Sequence, residues 1–428
     1  MTHNTDITPT KVQKDSKLGV IPDGWKIKTL DELGTFSKGK GISKNEILEE
    51  GEIGLPGIRY AEIYTMYDFY TDNFKSHVNK ESAENSNEIQ FGDILFAGSG
   101  ETLEDIGKSI AYVGKQKAYA GGDIIIFRQE TEDSKYLGFL LNNDGVRRQL
   151  HKLGQGHSVV HVYGKSLKKV KLPIPPLPEQ QKIAQILATW DVAIKKQEAI
   201  IAKKQELKNA LMQQLLTGKK RFVGFDDDWE YKRMDKLINY IGGEAFKSKN
   251  MVDNGVKWLK IANVGIGEIK WGSETTYLPI EFIESYPKYV LHNNDVVMAL
   301  TRPILNDKLK IARIKKEDEN SLLNQRVSKL VTNNQNVLDY IYYVHQLPNF
   351  IYAMNSMMAG TDPPNISLKE LSSYHIHVPK PKEQQKIAEI LITADNEITA
   401  LQQQLQQLKT QKKGLMQQLL TGKIRVKK

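Results

Sequence analysis

The sequence contains no cysteine among its 428 residues. Disulfide bonds, thiolate zinc sites and a cysteine nucleophile are therefore excluded. The sequence also has no run of 18 consecutive apolar residues, so it predicts no membrane-spanning helix. The polar segment 1–18 lacks the apolar core of a signal peptide. From these absences we expect a cytoplasmic protein.

The overall composition is that of a globular protein. Apolar residues make up 40% and charged residues 26% of the chain, which is enough apolar material for substantial cores. A chain of this length predicts two to four domains. The 60 lysines and arginines exceed the 51 acidic residues and give a net charge of +9. Such a basic surplus favours a polyanionic partner such as nucleic acid.

The chain is a tandem duplication with an offset of 204 residues. EQQKIAQIL (179–187) is repeated as EQQKIAEIL (383–391), and LMQQLLTGK (211–219) is repeated letter for letter at 415–423. An ungapped comparison of 179–221 with 383–425 gives 22 identities in 43 positions. Isolated residues such as Trp25 and Trp229 keep the same offset, while the segments between them diverge. Each half therefore contains one variable block and one repeated block.

The repeated blocks have the spacing of coiled-coil helices. Steps of three and four residues place one seam at Ile183, Leu187, Trp190, Ile194, Ile201, Leu211 and Leu215, and the other at Ile387, Leu391, Ile398, Leu401, Leu405, Leu408, Leu415 and Leu419. Prolines precede each block, and Gly218 and Gly422 follow it, as expected at helix ends. Each helix should run for about 38 residues, or about 57 Å.

The matching apolar seams indicate that the two helices pair with each other in an antiparallel coiled coil. This pairing would place one variable block at each end of a rod. The alternatives are that each helix packs only on its own block, or that the helices mediate homodimerisation. Polar residues on a coiled-coil seam commonly fix its register. Lys204, Lys208 and Lys412 occupy such positions.

The variable blocks predict mixed domains, so the fold class is α+β: two compact domains alternate with two long helices in a pseudo-twofold repeat. Short strands are predicted in 91–100, 121–128, 293–302 and 324–331, and helices in 136–143 and 338–347. The predicted organisation is a polar tail (1–18), a first domain (19–175), a first helix (176–220), a second domain (221–378), a second helix (379–423) and a basic tail (424–428).

No catalytic, cofactor-binding or metal site is predicted. TDPPN (361–365) resembles an amino-methyltransferase motif, but Asn365 stands where a base-stacking aromatic residue is needed. GKS (164–166) lacks the upstream glycine of a phosphate-binding loop. Asp253, Glu268 and Lys270 have a loose nuclease-like spacing that is frequent by chance. His151, His157 and His161 cluster without a match in the second half, which favours ordinary loop histidines.

The complete pattern resembles the specificity subunit of type I restriction-modification systems. The resemblance covers nearly the whole chain, and its most specific elements are the proline-rich entry into EQQKIA and the LLTGK exit. The second entry reads VPKPKEQQ instead of PPLPEQQ, which changes its charge but not its layout.

The resemblance implies that residues 19–175 and 221–378 are target recognition domains. Each would read one half of a bipartite double-stranded DNA site, and the helices would act as a spacer. They would also dock two modification subunits, which use S-adenosylmethionine to methylate adenine. Restriction subunits that use ATP and Mg²⁺ could join the complex. The chain itself would bind no cofactor and would not be a catalyst.

Basic, polar and glycine-flanked loop residues are the candidates for DNA contact. They are Lys38, Lys40, Arg59, Tyr60, Ser99, His157 and His161 in the first domain, and Lys247, Lys249, Lys260, Asn263, Arg302 and Gln325 in the second. Two alternatives stay open. One is a recognition subunit of a type II-like restriction-modification enzyme, and the other is a scaffold that carries two non-DNA-binding modules on a coiled coil.

Overall fold

The computed structural model describes residues 13–15, 18–49, 52–102, 104–156, 160–273, 275–332 and 334–426. The chain forms two compact units. The first takes in the described residues up to Glu198 and those from Gln404 onward, and the second is Ala199–Gln403. Each unit therefore contains one variable block and a segment of both long helices. Within the described ranges, no helix is both long enough and apolar enough to cross a membrane.

Two sheets form the body of the first unit. Among its described residues, the larger sheet has five strands, in the spatial order Thr35–Lys38, Ile124–Arg128, Ile94–Ala97, Ser109–Tyr112 and Tyr70–Thr71. The last two strands are parallel, and the other neighbours are antiparallel. The smaller sheet has the order His77–Val78, Leu55–Ile58, Ala118–Ala120 and Asn87–Ile89.

Short elements complete the first unit. Two-stranded ladders pair Gln13–Asp15 with Gly19–Ile21, Lys26–Thr29 with Lys171–Ile174, and Ser99–Gly100 with Val160–His161. The short helices are Leu30–Leu33, Tyr60–Thr65, Lys80–Glu84, Ser134–Leu141, Asp144–His151 and Gly164–Leu167, with a 3₁₀ turn at Lys44–Glu46.

The central strands of the first unit are buried on both faces, which explains their unbroken apolar sequences. Ile94 and Phe96 pack with Tyr136 of the Ser134–Leu141 helix. Leu95, between them in sequence, faces the opposite way and packs against Ile58 of the smaller sheet. The larger sheet is therefore a middle layer between helices and a second sheet, because successive strand residues point to opposite faces.

The second unit follows the same plan. In its described part, the main sheet has the order Asn239–Gly242, Val327–Val331, Val296–Ala299 and Ile311–Arg313, and a smaller sheet has the order Tyr277–Leu278, Val256–Leu259 and Leu322–Leu323. Further pairs join Ile304–Leu305 with Lys308–Leu309 and Glu230–Arg233 with His375–Val378. The helices are Phe282–Ser285, Gln335–Val344, Pro348–Met357 and Leu368–Ser373, with 3₁₀ turns at Met234–Lys236, Ser248–Asn250, Pro287–Tyr289 and Lys316–Asp318.

The 204-residue offset extends to strand register. In the first unit Thr29 pairs with Lys171, and in the second Arg233 pairs with His375, which are the same positions moved by 204. Each ladder pairs a strand near the beginning of a variable block with a strand at its end. The long helix begins shortly after this second strand. The tandem duplication inferred from sequence is therefore also a duplication of the backbone pairing.

The two long helices have equal lengths. The first runs over Leu177–Leu215 and the second over Pro381–Leu419, 39 residues each. Gly218 and Gly422 have positive φ angles of 70° and 69°. After the first helix, the Lys220 N–H donates to the Gln214 carbonyl over 3.0 Å and satisfies one of the last carbonyls of the helix. Each helix is therefore close to the expected length of about 38 residues, and a glycine with positive φ follows it.

The helical segments run antiparallel within each unit. In the first unit, Asp191 of the first helix forms an ion pair with Lys412 of the second, and Glu198 lies 2.7 Å from Lys409. In the second unit, Lys204 lies 2.6 Å from Glu397. Rising numbers on one helix meet falling numbers on the other, so the predicted antiparallel coiled coil is confirmed.

The apolar seam is most deeply buried near the helix ends, where it merges with the domain cores. Ile183, Leu187, Leu215, Ile387, Leu391, Ile398 and Leu419 are buried. Half-buried seam positions are Trp190, Ile194, Ile201, Leu211, Leu401, Leu405, Leu408 and Leu415. The domain cores therefore supply much of the packing that holds the helices in place.

Candidate nucleic-acid interface

The Ser99–Gly100 ladder brings together two predicted DNA contacts of the first unit. Ser99 pairs with His161 across the strands, and the Ser99 hydroxyl lies 2.9 Å from Nδ1 of His161. Ser99 is buried, whereas His161 is half-buried. The hydroxyl therefore orients the imidazole ring and leaves its Nε2 edge available for an external hydrogen bond.

His161 borders a cavity of about 300 Å³ in the first unit. Phe36, Ile125 and Val162 supply apolar walls, and the exposed Tyr163 ring lies at the rim. Basic residues surround the opening at Lys38, Lys165 and Lys168. An apolar floor with a basic rim suits the edge or face of a base, while the lysines can contact flanking phosphates.

Two rim lysines already have acidic neighbours. Lys38 lies 3.4 Å from Asp123, and Lys168 lies 2.8 Å from Asp31. All four side chains are largely exposed, so these pairs are weak and can exchange for phosphate contacts. Lys165 has no ion-pair partner among the described residues, which makes it the rim cation most available to an anionic ligand.

The second unit contains a matching pair with different chemistry. Thr301 follows the strand Val296–Ala299, as Ser99 follows Ile94–Ala97, and Thr301 bridges to Asn365, 204 positions after His161. The Thr301 hydroxyl donates to Oδ1 of Asn365 over 2.7 Å. A buried hydroxyl thus orients an amide here and an imidazole in the first unit. Amides and imidazoles present different donors and acceptors to a base.

Arg302, predicted as a DNA contact, directly follows Thr301. Its side chain is exposed, and its backbone has a φ of 47° in the left-handed region, which is uncommon for arginine. The Arg302 N–H donates to the Pro364 carbonyl over 2.8 Å, which fixes this conformation. Strained backbone held in this way is typical of functional sites.

Three other predicted DNA contacts interact with neighbouring side chains or backbone groups of the protein itself. Arg59 lies 2.9 Å from the buried carboxylate of Glu62. Asn263 accepts from the Lys260 N–H over 3.0 Å and donates to the Lys270 carbonyl over 3.1 Å. Lys260 lies over the Trp258 ring, and burial lowers its pKa. Their role in DNA reading stays a prediction.

The remaining candidates do not converge on one surface in the contacts of either unit. Tyr60 is half-buried beside Tyr64, and its ring centroid is 6.3 Å from that of Tyr64. His157 lies outside the described residues. Besides Lys38 at the cavity rim and Arg302, the exposed candidates are Lys40, Lys247, Lys249 and Gln325. Exposure permits DNA contact at these positions but does not select them.

Asn365, Thr301 and Lys165 are not among the contacts predicted from sequence. Asn365 and Lys165 lie inside TDPPN and GKS, two segments that do not fit the enzyme motifs they resemble. The available signal was the duplication itself, since moving His161 by 204 positions identifies Asn365 directly. Thr301 lies 202 positions after Ser99, so the offset of 204 does not identify it. It is identified only when the strands Ile94–Ala97 and Val296–Ala299 are aligned with each other.

A family model for the type I restriction modification DNA specificity domain matches this chain twice, over residues 22–206 and 226–410. The two matches are again 204 residues apart. The chain belongs to the type I restriction-modification DNA specificity family. Two copies of a DNA specificity domain in one subunit fit recognition of a bipartite DNA site. This confirms the resemblance inferred from the repeated helices.

Relatives within the family align with almost the entire chain. The MjaVIII specificity subunit of Methanocaldococcus jannaschii is 31% identical over 421 residues, covering 95% of this chain and 94% of the relative. The putative MjaX specificity subunit of the same organism is 27% identical, with 97% of both chains covered. The type I S subunit from M. genitalium, at 14% identity, has a TM-score of 0.58 over 98% of both chains, which supports the fold.

Proposed function

We propose that this chain is the DNA-reading subunit of a type I restriction-modification complex, with each unit recognising one half of a bipartite double-stranded site. The support comes from one repeated arrangement. A buried hydroxyl orients His161 in the first unit and Asn365 in the second. The supporting backbone is duplicated while the presented group differs. Such a design suits two readers of unrelated half-sites.

Affinity in this proposal comes mainly from phosphate contacts, and sequence preference comes from the oriented side chains. Lys38 and Lys165 line the cavity that His161 borders, and Arg302 directly follows Thr301, so these cations are the proposed phosphate contacts. Because each neutralised phosphate releases counterions, the logarithm of the binding constant should fall by about 0.9 per phosphate contact for each logarithmic unit of salt.

The proposed complex contains two adenine-methylating modification subunits and, when restriction is active, two restriction subunits. S-adenosylmethionine would belong to the modification partner, and ATP with Mg²⁺ to the restriction partner. The chain itself would recognise DNA without catalysing a reaction. Since its target is cellular DNA, we propose that it acts in the cytoplasm.

The recognised sequence can be obtained by mapping methylated adenines in the genome of the source cell with and without this chain. The expected result is a two-part motif whose methylation disappears when the chain is absent. The complex should then protect both half-sites of that motif in footprinting. Protection should weaken steeply as salt rises.

Different outcomes would support the alternatives. DNA affinity that is absent or insensitive to salt would indicate a scaffold with two other binding modules. Methyl transfer by the purified chain alone would show that it is itself a methyltransferase. Methylation and cleavage by one partner polypeptide would indicate the type II-like organisation.

A further inference from the structure

The duplicated glutamines Gln180 and Gln384 lie at equivalent positions near the starts of the two long helices. In the first unit, Nε2 of Gln180 donates to the Pro175 carbonyl over 2.9 Å. In the second, Nε2 of Gln384 donates to the Pro379 carbonyl over 2.8 Å. Both amides are held in the same orientation, so the remaining partners of each can be compared.

In the first unit, the chain itself completes the hydrogen bonds of Gln180. Its Nε2 also donates to Glu132 over 2.5 Å, and its Oε1 accepts from the Asp133 N–H over 2.9 Å. Lys28 lies 2.9 Å from the other Glu132 oxygen. Burial raises the pKa of Glu132, but hydrogen bonds from Gln180 and Lys28 outweigh it and leave that pKa below its ordinary value. A buried carboxylate is therefore stably ionised here.

In the second unit, the Gln384 amide lacks a hydrogen bond that the Gln180 amide makes. Gln384 is only 3% exposed, yet its Oε1 has no hydrogen-bond partner among the described residues. Lys232 keeps the position of Lys28, but position 336, which corresponds to Glu132, is asparagine. The Val337 N–H, at the position of Asp133, donates instead to the Asn334 carbonyl because the helix starts earlier, at Gln335.

A cavity of about 410 Å³ borders Gln384 in the second unit. Three lysines, Lys232, Lys236 and Lys380, line it together with the two acidic residues Glu230 and Asp235, and the second long helix begins beside it at Pro381. Asp235 is already paired with Arg233, 2.5 Å away, so the lysines outnumber the acidic groups that face the cavity without another cation. Lysines and a helix N-terminus both favour a negatively charged occupant. The buried unpartnered Gln384 oxygen needs a donor as well, since leaving a buried acceptor unpaired is unfavourable.

We propose that this cavity binds an acidic peptide segment of a partner protein. The peptide carboxylate would take the place that Glu132 has in the first unit, between Lys232 and Nε2 of Gln384. The next backbone N–H of the peptide would donate to Oε1 of Gln384, as the Asp133 N–H donates to Gln180. The ligand must therefore supply both a negative charge and a hydrogen-bond donor. A DNA phosphodiester has no donor for that oxygen, so a peptide fits the cavity better than nucleic acid.

Glu230 currently competes for the same cations. It lies 2.8 Å from Lys232 and 2.5 Å from Lys380, and hydrogen bonds from these lysines lower its pKa to about 2. A peptide carboxylate would have to displace Glu230 from Lys232. Glu230→Gln should therefore increase peptide affinity, an effect that a merely structural ion pair would not produce.

The probe is an acetylated, amidated pentapeptide Glu-Thr-Glu-Asp-Ser, the sequence of residues 130–134. Its binding to the full chain, without DNA, is measured by calorimetry and by chemical-shift changes. Saturable binding at one site is expected, with at least tenfold weaker binding for a peptide carrying glutamine at its third position. Equal affinity of the two peptides would overturn the proposal.

Variants locate the binding site. Lys232→Ala and Gln384→Leu should each weaken peptide binding at least tenfold, and Glu230→Gln should strengthen it severalfold. Lys386→Ala, an exposed lysine on the same helix outside the cavity, is the matched control and should leave binding unchanged. Lys232 is near the surface, so its replacement remains informative if Gln384→Leu misfolds. Unchanged binding in Lys232→Ala, or an effect of that variant on DNA binding alone, would reject the peptide site. DNA recognition is not required by this test.

Discussion

The ammonium group of Lys208 lies 2.6 Å from a carboxylate oxygen of Asp395, across the two long helices of the second unit. The pair Lys412–Asp191 repeats this contact 204 positions away in the first unit. Both lysines are buried on the coiled-coil seam. Sliding one helix past the other would separate a buried charge from its partner, so these pairs favour the observed register.

Lys412→Ala should destabilise the first unit by about 3–5 kcal/mol, because it leaves Asp191 without its cation. The Asp191 side chain is only 13% exposed, and burial already raises its pKa despite the contact with Lys412. Lys409→Ala, which removes an exposed pair with Glu198, is the control and should cost less than about 1 kcal/mol. Denaturant unfolding with hydrogen exchange of the helix amides measures both. Equal losses in the two variants would contradict a register role for Lys412.

The arginine contacts near the helix starts predict an asymmetry between units. Arg221 donates twice to Glu383, over 3.0 and 2.8 Å, and Arg425 donates to Glu179 in the same way. Trp25 also donates to Glu179, over 3.2 Å. Replacing Arg425 with alanine therefore leaves Glu179 one side-chain donor, the indole N–H of Trp25.

Arg221→Ala should accordingly lower the unfolding midpoint of the second unit more than Arg425→Ala lowers that of the first. Glu383 would be left as a buried carboxylate without a described side-chain donor. Combining Arg221→Ala with Glu383→Gln removes the stranded charge and should recover part of the loss. An equal midpoint for the single and the double variant would argue against this explanation.

His345 predicts acid sensitivity of the second unit. Burial lowers its pKa from the ordinary value of 6.5 to about 4. The ring lies 2.8 Å from the Tyr240 hydroxyl and 2.7 Å from the Ile341 carbonyl. Because the folded state resists protonation, the stability contributed by neutral His345 is present above about pH 6.5. It declines as pH falls towards 4, by about 3 kcal/mol in total.

The variant His345→Gln cannot titrate in this range. Its unfolding free energy should therefore change less between pH 7 and pH 4.5 than that of the wild type, as monitored by exchange in the Gln335–Val344 helix. Parallel pH profiles would show that His345 does not cause the acid sensitivity. His292, exposed on a loop, gives the control variant His292→Gln, whose profile should follow the wild type.

The proposed reading positions predict damage to one half-site at a time. His161→Ala should weaken protection of one half of the DNA motif, and Asn365→Ala should weaken protection of the other. Loss of a good base contact is worth about 1–3 kcal/mol. Footprinting and binding to duplexes with each half-site altered measure the effect. Weakening of both half-sites by either variant would argue against separate readers.

The long helices could be predicted closely from sequence because their signals are local. Proline, heptad spacing and glycine placed the first helix at 176–220, and its ordered turns run over Leu177–Leu215. The predicted strands in 121–128 and 324–331 were also found, as Ile124–Arg128 and Val327–Val331. Strand order was not predictable, since it depends on pairings between residues far apart in sequence.

The candidate sites show the same division between local and long-range information. Ser99 and His161 were both identified, but their contact spans 62 residues and has no sequence signal. Arg59 is an exception, since Glu62 is only three residues away; what the sequence does not show is that this carboxylate is buried. The cavity beside Gln384 depends on where the helix from Gln335 begins, and helix starts are weakly specified by sequence.

The first unit is built from two segments that lie far apart in the sequence, and this has a consequence for its biosynthesis. Glu179 is translated long before Arg425, yet these residues share one ion pair, and Met416 and Leu419 complete the same core as Ile183. A nascent chain that has emerged only to residue 400 therefore lacks part of its earliest unit. The second unit, Ala199–Gln403, already has all of its segments at nearly that length. On the ribosome, the later-encoded unit can thus finish folding first, and the earlier-encoded one must wait for the last helix turns.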